Sequence, residues 1–322
     1  MIRTAHGSLP LLAGVELGGT KCVCLLGTGP GDVRAQCSIP TGRDPARALA
    51  DIVLGLQQMQ LAHGPATALG VASFGPLDLD PASRGFGAIA STSKPGWSGV
   101  DVAGALSRAL ALPTRIETDV TGAALAEGRW GAARGLSSHA YVTVGTGVGV
   151  GIIACGRPLQ GFTHPEFGHI RVARLRGDDW AGSCPYHSDC VEGLASGVAI
   201  ERRTGVAAAQ LSPDHPAWES ITHALAQLLH ALVLATAPQR VLMGGGVLEG
   251  QPHLFARLRR ELQRSLNGYV EPPRLSEPID GYIGPPSLGA MAGPLGALAL
   301  AADALAAAAA GRDATNGIYC PA

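Results

Sequence analysis

Residues 16–21 read Glu16-Leu17-Gly18-Gly19-Thr20-Lys21, between the apolar runs 11–17 and 22–27. Two adjacent glycines between paired strands leave backbone N–H groups open to a polyphosphate, with no Cβ in the way. Thr20 adds a hydroxyl and Lys21 a charge. A simple hairpin turn is the plain alternative. Two later segments repeat the device. Thr143-Val144-Gly145-Thr146-Gly147-Val148-Gly149-Val150-Gly151 alternates glycine along a strand pair, with a threonine at the turn. Gly244-Gly245-Gly246-Val247 directly follows a buried strand and offers bare backbone to a flat ring or ribose. Singly each is weak; the three in this order predict a nucleotide site.

Around these turns the chain reads as α/β. Residues 33–39 read as a third strand after the first two, so the chain opens with a β-meander. Asp44-Pro45 starts a helix to about residue 63, with Ala48, Ile52, Leu56 and Met59 at helical spacing. Further strands are expected at 66–73, 114–117, 140–144, 148–155 and 240–243. Helices are expected at 100–110, 120–130, 193–203, 218–235, 253–266 and 288–310, with Pro294 a kink or weak start in the last. Residues 163–192 lack periodicity and read as irregular. Each half begins with a meander and ends in helices, which places a domain boundary near 117–120.

Composition narrows the function classes. The 322 residues are 46% hydrophobic with net charge −1, which excludes global disorder and leaves no electrostatic footprint for nucleic acid. No run of 18 apolar residues appears, so no membrane span is expected, and no signal peptide is read at the N-terminus. Glycine and proline are abundant, but without a Gly-X-Y period, so collagen is excluded. Seven cysteines at irregular spacing argue against a disulfide framework and for a reducing cytoplasm. Only two of the 24 basic side chains are lysines, Lys21 and Lys94, and both fall inside motifs.

A metal site stands out. Cys184-x2-His187-x2-Cys190, with His169 fifteen residues upstream, supplies two thiolates and two imidazoles. That is the donor set of a closed, structural Zn²⁺ site. His164 is a weaker competitor as ligand, and a surface loop with unpaired thiols is the plain alternative.

The three glycine turns resemble those of the sugar-kinase branch of the actin and hexokinase superfamily. From Gly14 to about Leu300 the chain resembles the ROK family (repressors, open-reading-frame proteins and sugar kinases), and within it the bacterial fructokinases. The segments that carry the likeness, besides 16–21, are Ser73-Phe74-Gly75-Pro76-Leu77-Asp78, Ser91-Thr92-Ser93-Lys94-Pro95-Gly96-Trp97 and Thr118-Asp119-Val120. His164-Pro165-Glu166-Phe167-Gly168-His169-Ile170 and residues 184–193, Cys-Pro-Tyr-His-Ser-Asp-Cys-Val-Glu-Gly, are the most specific.

The resemblance implies an actin/hexokinase-like (ribonuclease H-like) two-domain fold with mixed sheets and a central cleft. A small domain would span 1–118 plus the C-terminal helix 298–322; a larger one would span 119–297, with the zinc loop at 164–192. It implies ATP-dependent phosphorylation of D-fructose at the 6-hydroxyl, with Mg²⁺ on ATP and domain closure to exclude water. Asp119 would be the general base; a helix N-cap is its plain alternative. Gly18, Gly19, Thr20, Lys21, Gly145, Thr146, Gly147, Gly244, Gly245 and Gly246 would hold the nucleotide. Thr118, Glu166, His169 and Glu192 would hold the sugar, and Lys94 would lie at the sugar side of the cleft. Thr118 stands where many members carry Asn, Glu16 where most carry Asp, and His187 where the common zinc pattern has a third Cys. A kinase for another hexose, mannose or glucose, is the alternative. A sugar-sensing repressor is disfavoured, since only about 13 residues precede Gly14 and the chain is not basic. A homodimer is expected, with ATP and a hexose as small-molecule partners and neither nucleic acid nor membrane.

Overall fold

A computed structural model of the chain describes residues 9–270 and 281–311. In chain order the strands are β1 Leu12–Leu17, β2 Lys21–Gly29, β3 Asp32–Pro40, β4 Leu69–Ser73, β5 Thr114–Thr118, β6 His139–Val144, β7 Val148–Ala154, β8 Arg157–Pro158, β9 Val241–Gly244 and β10 Ile283–Gly284. The helices are α1 Pro45–His63, α2 Val102–Leu110, α3 Asp119–Trp130, α4 Val191–Ala195, α5 Gly197–Thr204, α6 Ala217–Thr236, α7 Gly246–Gly250, α8 Leu254–Leu266 and α9 Ala292–Ala309.

The chain divides into two compact units. The first holds residues up to Trp130, Leu159–His164 and the chain from Met291; the second holds Gly131–Pro158 and Pro165–Ala290. The boundary expected at 118/119 is therefore corrected: α3 belongs to the first unit, as does the short strap 159–164. The physical reason is a close helix crossing. A Cβ on Gly296 of α9 would run into the backbone of Gly122 on α3, so the two helices touch through bare backbone. Of the expected C-terminal segment 298–322, residues 312–322 lie outside the described residues.

Each unit carries a five-stranded mixed sheet of the same design. The first runs β3-β2-β1-β4-β5, with β1, β2 and β3 an antiparallel meander and β4 and β5 parallel to β1. The second runs β10-β9-β6-β7-β8, with β6, β7 and β8 the meander and β9 and β10 parallel to β6. Parallel strands bring their carboxyl ends to one edge, where ligands of α/β sheets bind. In the first sheet Leu17 pairs with Ser73 and Ser73 with Thr118, so the Gly18 turn and Asp119 leave the same edge. In the second, Thr143 pairs with Gly244, so the Gly145 and Gly245 turns are neighbours.

Local chemistry accounts for the helices. The Asp44 side chain accepts from the Arg47 amide and Pro45 takes the first turn of α1, whose buried stripe is Ala48, Ile52, Leu56 and Met59. The single helix expected at 193–203 is two. Ser196 breaks it with an extended backbone, and its side chain caps α5 by accepting from the Ala199 amide. Pro294 lies in the first turn of α9, where it removes no helical hydrogen bond. By length and apolarity α9 could cross a membrane. It is instead a core helix of the first unit, packed on β1, β4 and α3.

Candidate active site and metal cluster

In the first unit, Gly18 donates across its turn to the Lys21 carbonyl at 3.1 Å. The carbonyls of the turn are all engaged. Gly18 O accepts from the Thr41 hydroxyl at 2.7 Å, Thr20 O from the Thr41 amide at 3.0 Å, and Gly19 O from the Lys94 ammonium. Gly19, Thr20 and Lys21 are exposed. Thr41 is a structural part of this turn that the sequence reading missed.

Beside it stand two carboxylates. Asp119 is the first residue of α3, and its Oδ1 accepts from the Val120 amide at 2.8 Å. Thr118 is buried, its hydroxyl bonded to that of Thr121 at 2.7 Å. Burial pushes the Asp119 carboxyl up to about 6, against the opposing pull of the Val120 amide. Glu16 is pushed up to about 7, mainly by burial and then by the Asp119 charge, with Lys21 pulling the other way. A Cβ on Gly293 would collide with the Glu16 carboxylate, so α9 is glycine there to admit it.

A third carboxylate, Glu117 on β5, is buried two residues before Asp119. Glu117 accepts from Gln160 Nε2 at 2.7 Å and lies 3.4 Å from Arg115, and burial raises it to about 7 despite both partners. Gln160 arrives on the strap 159–164. The same strap buries His164, whose Nε2 accepts from the Leu77 amide at 3.0 Å. His164 is not among the His and Cys side chains that cluster in the second unit.

In the second unit, His169, Cys184, His187 and Cys190 converge, their ligand atoms all within 4.8 Å of one another. Both cysteines are buried. Nδ1 of His169 faces Cys184 Sγ at 3.7 Å, Cys190 Sγ at 3.6 Å and His187 Nδ1 at 3.3 Å; Cys184 Sγ lies 3.7 Å from His187 Nδ1. The 3₁₀ turn Phe167–His169 presents His169, and Gly168 within it packs so tightly on Val148 that a Cβ would overlap the Val148 carbonyl. The other ring nitrogen of His169 lies 3.9 Å from Glu192 Oε1. Glu192 Oε2 accepts from the Val148 amide at 3.1 Å, immediately after the Gly145-Thr146-Gly147 turn. The Gly145 carbonyl accepts from the Gly197 amide at 2.7 Å. Glu166 is exposed. Gly244 ends β9, Gly245 has φ 91° and Gly246 opens α7.

Each unit thus carries a glycine turn at the carboxyl edge of its sheet, one beside paired carboxylates and one tied to a Cys2His2 cluster. Residues 12–304 match the model of the ROK family. The chain belongs to the ROK family. It is 41% identical over 300 residues to a putative fructokinase of Bacillus subtilis (strain 168), covering 93% of this chain and 98% of that one. It is 40% identical over 295 residues to a fructokinase of Pediococcus pentosaceus, covering 92% and 99%. A crystal structure of a ROK hexokinase from Thermus thermophilus is similar with a TM-score of 0.74 at 29% identity, covering 90% of this chain and 97% of that one.

Proposed function

We propose that this ROK protein is an ATP-dependent fructokinase that converts D-fructose to fructose 6-phosphate. The observation that carries the reading is identity of about two residues in five, over nine-tenths of the chain, to proteins named fructokinase. The site chemistry supports it. Asp119 accepts the proton of the sugar hydroxyl as the new O–P bond forms. The bond from the γ-phosphorus to the β–γ bridging oxygen breaks, and ADP leaves with that electron pair. A carboxylate at about 6 is mostly ionised at neutral pH yet more basic than a free aspartate. Glu16 is the carboxylate that would hold Mg²⁺ through water. The ion, arriving with ATP, would neutralise charge on the phosphate chain.

In this reading Gly18, Gly19, Thr20 and Lys21, the turn at 145–147 and the glycines at 244–246 bind nucleotide, and Thr118, Glu166, His169 and Glu192 bind the sugar. The four-residue cluster holds Zn²⁺. A tetrahedral ion with bonds of about 2.05 Å to nitrogen and 2.3 Å to sulfur sets N···N near about 3.3 Å and S···N near about 3.6 Å. The distances of 3.3 and 3.6–3.7 Å around His169 fit those edges. The ion would fix His169, whose second nitrogen then orients Glu192.

The test is ³¹P NMR of a reaction holding ATP, Mg²⁺ and fructose. The proposal expects ADP and a phosphomonoester on fructose O6 in equal amounts. ADP with free phosphate, or no consumption of ATP, contradicts it.

A further inference from the structure

The family resemblance puts Lys94 at the sugar side of the cleft, and the contacts of its ammonium in the first unit bear on that role. It donates to the Gly19 carbonyl and stands 5.9 Å from the centroid of the Phe74 ring. The loop that carries it is firmly seated. Trp97 is fully buried, meets Phe74 edge-on at 5.5 Å, and donates from Nε1 to the Gly42 carbonyl at 3.2 Å. The Lys94 amide is held by the Thr92 hydroxyl, and its carbonyl by the Trp97 amide.

We propose that Lys94 is a phosphate-binding residue that serves the nucleotide rather than the sugar; this rests on the kinase reading above. The case is electrostatic. With Gly18 O and Thr20 O held by Thr41 and Gly19 O by Lys94, the negative ends of the turn's peptide dipoles are engaged. The exposed Gly19 has open space where a Cβ would be. A turn so prepared is complementary to an anion. An ammonium has three donors, and the Gly19 carbonyl uses one. The remaining donors and the charge are carried at the same turn. A hexose is neutral and gains little from a point charge, whereas a polyphosphate gains much. The aromatic face of Phe74 and the Gly19 carbonyl together hold the ammonium without neutralising it. Lys21 is the second cation of the turn, and no other lysine exists in the chain.

Two measurements test this. Lys94→Met should raise the ATP KM by roughly tenfold or more while the fructose KM stays within about twofold. A rise in fructose KM with ATP KM unchanged, or no change in either, overturns it. Amine acylation of the unaltered enzyme, read by mass spectrometry, needs no variant, because Lys21 and Lys94 are the only side-chain amines. ATP with Mg²⁺ should protect Lys94, and fructose alone should not; protection by fructose alone, or none by ATP in an enzyme that consumes it, overturns the assignment. An enzyme that neither binds nor consumes ATP defeats the kinase reading itself, so the two failures are distinguishable.

Discussion

In the first unit the turn after β1 has its carbonyls held by a threonine and a lysine. In the second the turn after β6 has its Gly145 carbonyl held by the Gly197 amide, and the Val148 amide that follows the turn is taken by the Glu192 carboxylate. The sheets share one topology, yet the two turns differ in charge. The first leaves a cation beside bare backbone, which suits phosphate. The second binds a carboxylate whose other oxygen faces His169 and, through it, the Cys2His2 cluster. The two turns thus rest on different supports: the first, beside the Asp119 carboxylate, depends on local strand geometry, while the second depends on an irregular loop that carries the Cys2His2 cluster.

The largest break in this comparison should come from Asp119→Asn in the first unit. We expect kcat to fall by about 10³-fold with the fructose KM within about threefold, because the proton acceptor is lost and the contacts are kept. Steady-state kinetics on folded protein checks it; near-normal turnover would remove Asp119 as base.

The next largest should come from Cys184→Ser or Cys190→Ser in the second unit. Metal analysis should drop from one Zn per chain to near none, with a melting midpoint lower by roughly 5–10 °C. Hydrogen exchange should quicken in 165–197 and not around β1 and β2. Equal loosening in both units would contradict the separation. Glu192→Gln then sharpens it. The amide oxygen still accepts from Val148, so the turn survives, while the fructose KM rises by about tenfold through the lost charge on the sugar hydroxyls. Sugar-independent loss of ATP binding would place Glu192 in the turn alone.

The smallest effects are pH effects. Asp119 must be ionised to act, so kcat/KM should be full above its value of about 6 and fall as pH drops through it. A profile flat to pH 5 would oppose this. Stability runs the other way. The folded carboxyl at about 6 lies above its ordinary 3.8, so its contribution is present below pH 3.8 and lost as pH rises through 6. Asp119→Asn escapes that loss, and its melting midpoint should be no lower than that of the unaltered enzyme at pH 8.

Much of this was readable from local pattern. Glycine turns flanked by apolar runs gave the first meander and the β6–β7 pair, the Asp-Pro start gave α1, and Cys-x2-His-x2-Cys with His169 gave the cluster. What stayed hidden acts over distance. Thr41 reaches Gly18 across 23 residues, Gln160 reaches Glu117 across 43, and His164 reaches Leu77 across 87, and no periodicity encodes such pairs. The boundary was misplaced for the same reason. Helix α3 looks like the start of the second half until α9 returns to pack on it through Gly122 and Gly296. The glycine excess likewise serves close packing as well as phosphate turns.

The central claim is fructose phosphorylation, and its most direct test is kcat/KM for fructose, mannose and glucose at saturating ATP with Mg²⁺. The account predicts that fructose has the highest value, by at least about tenfold over glucose. A higher value for glucose or mannose would contradict it and leave a ROK hexose kinase of different specificity.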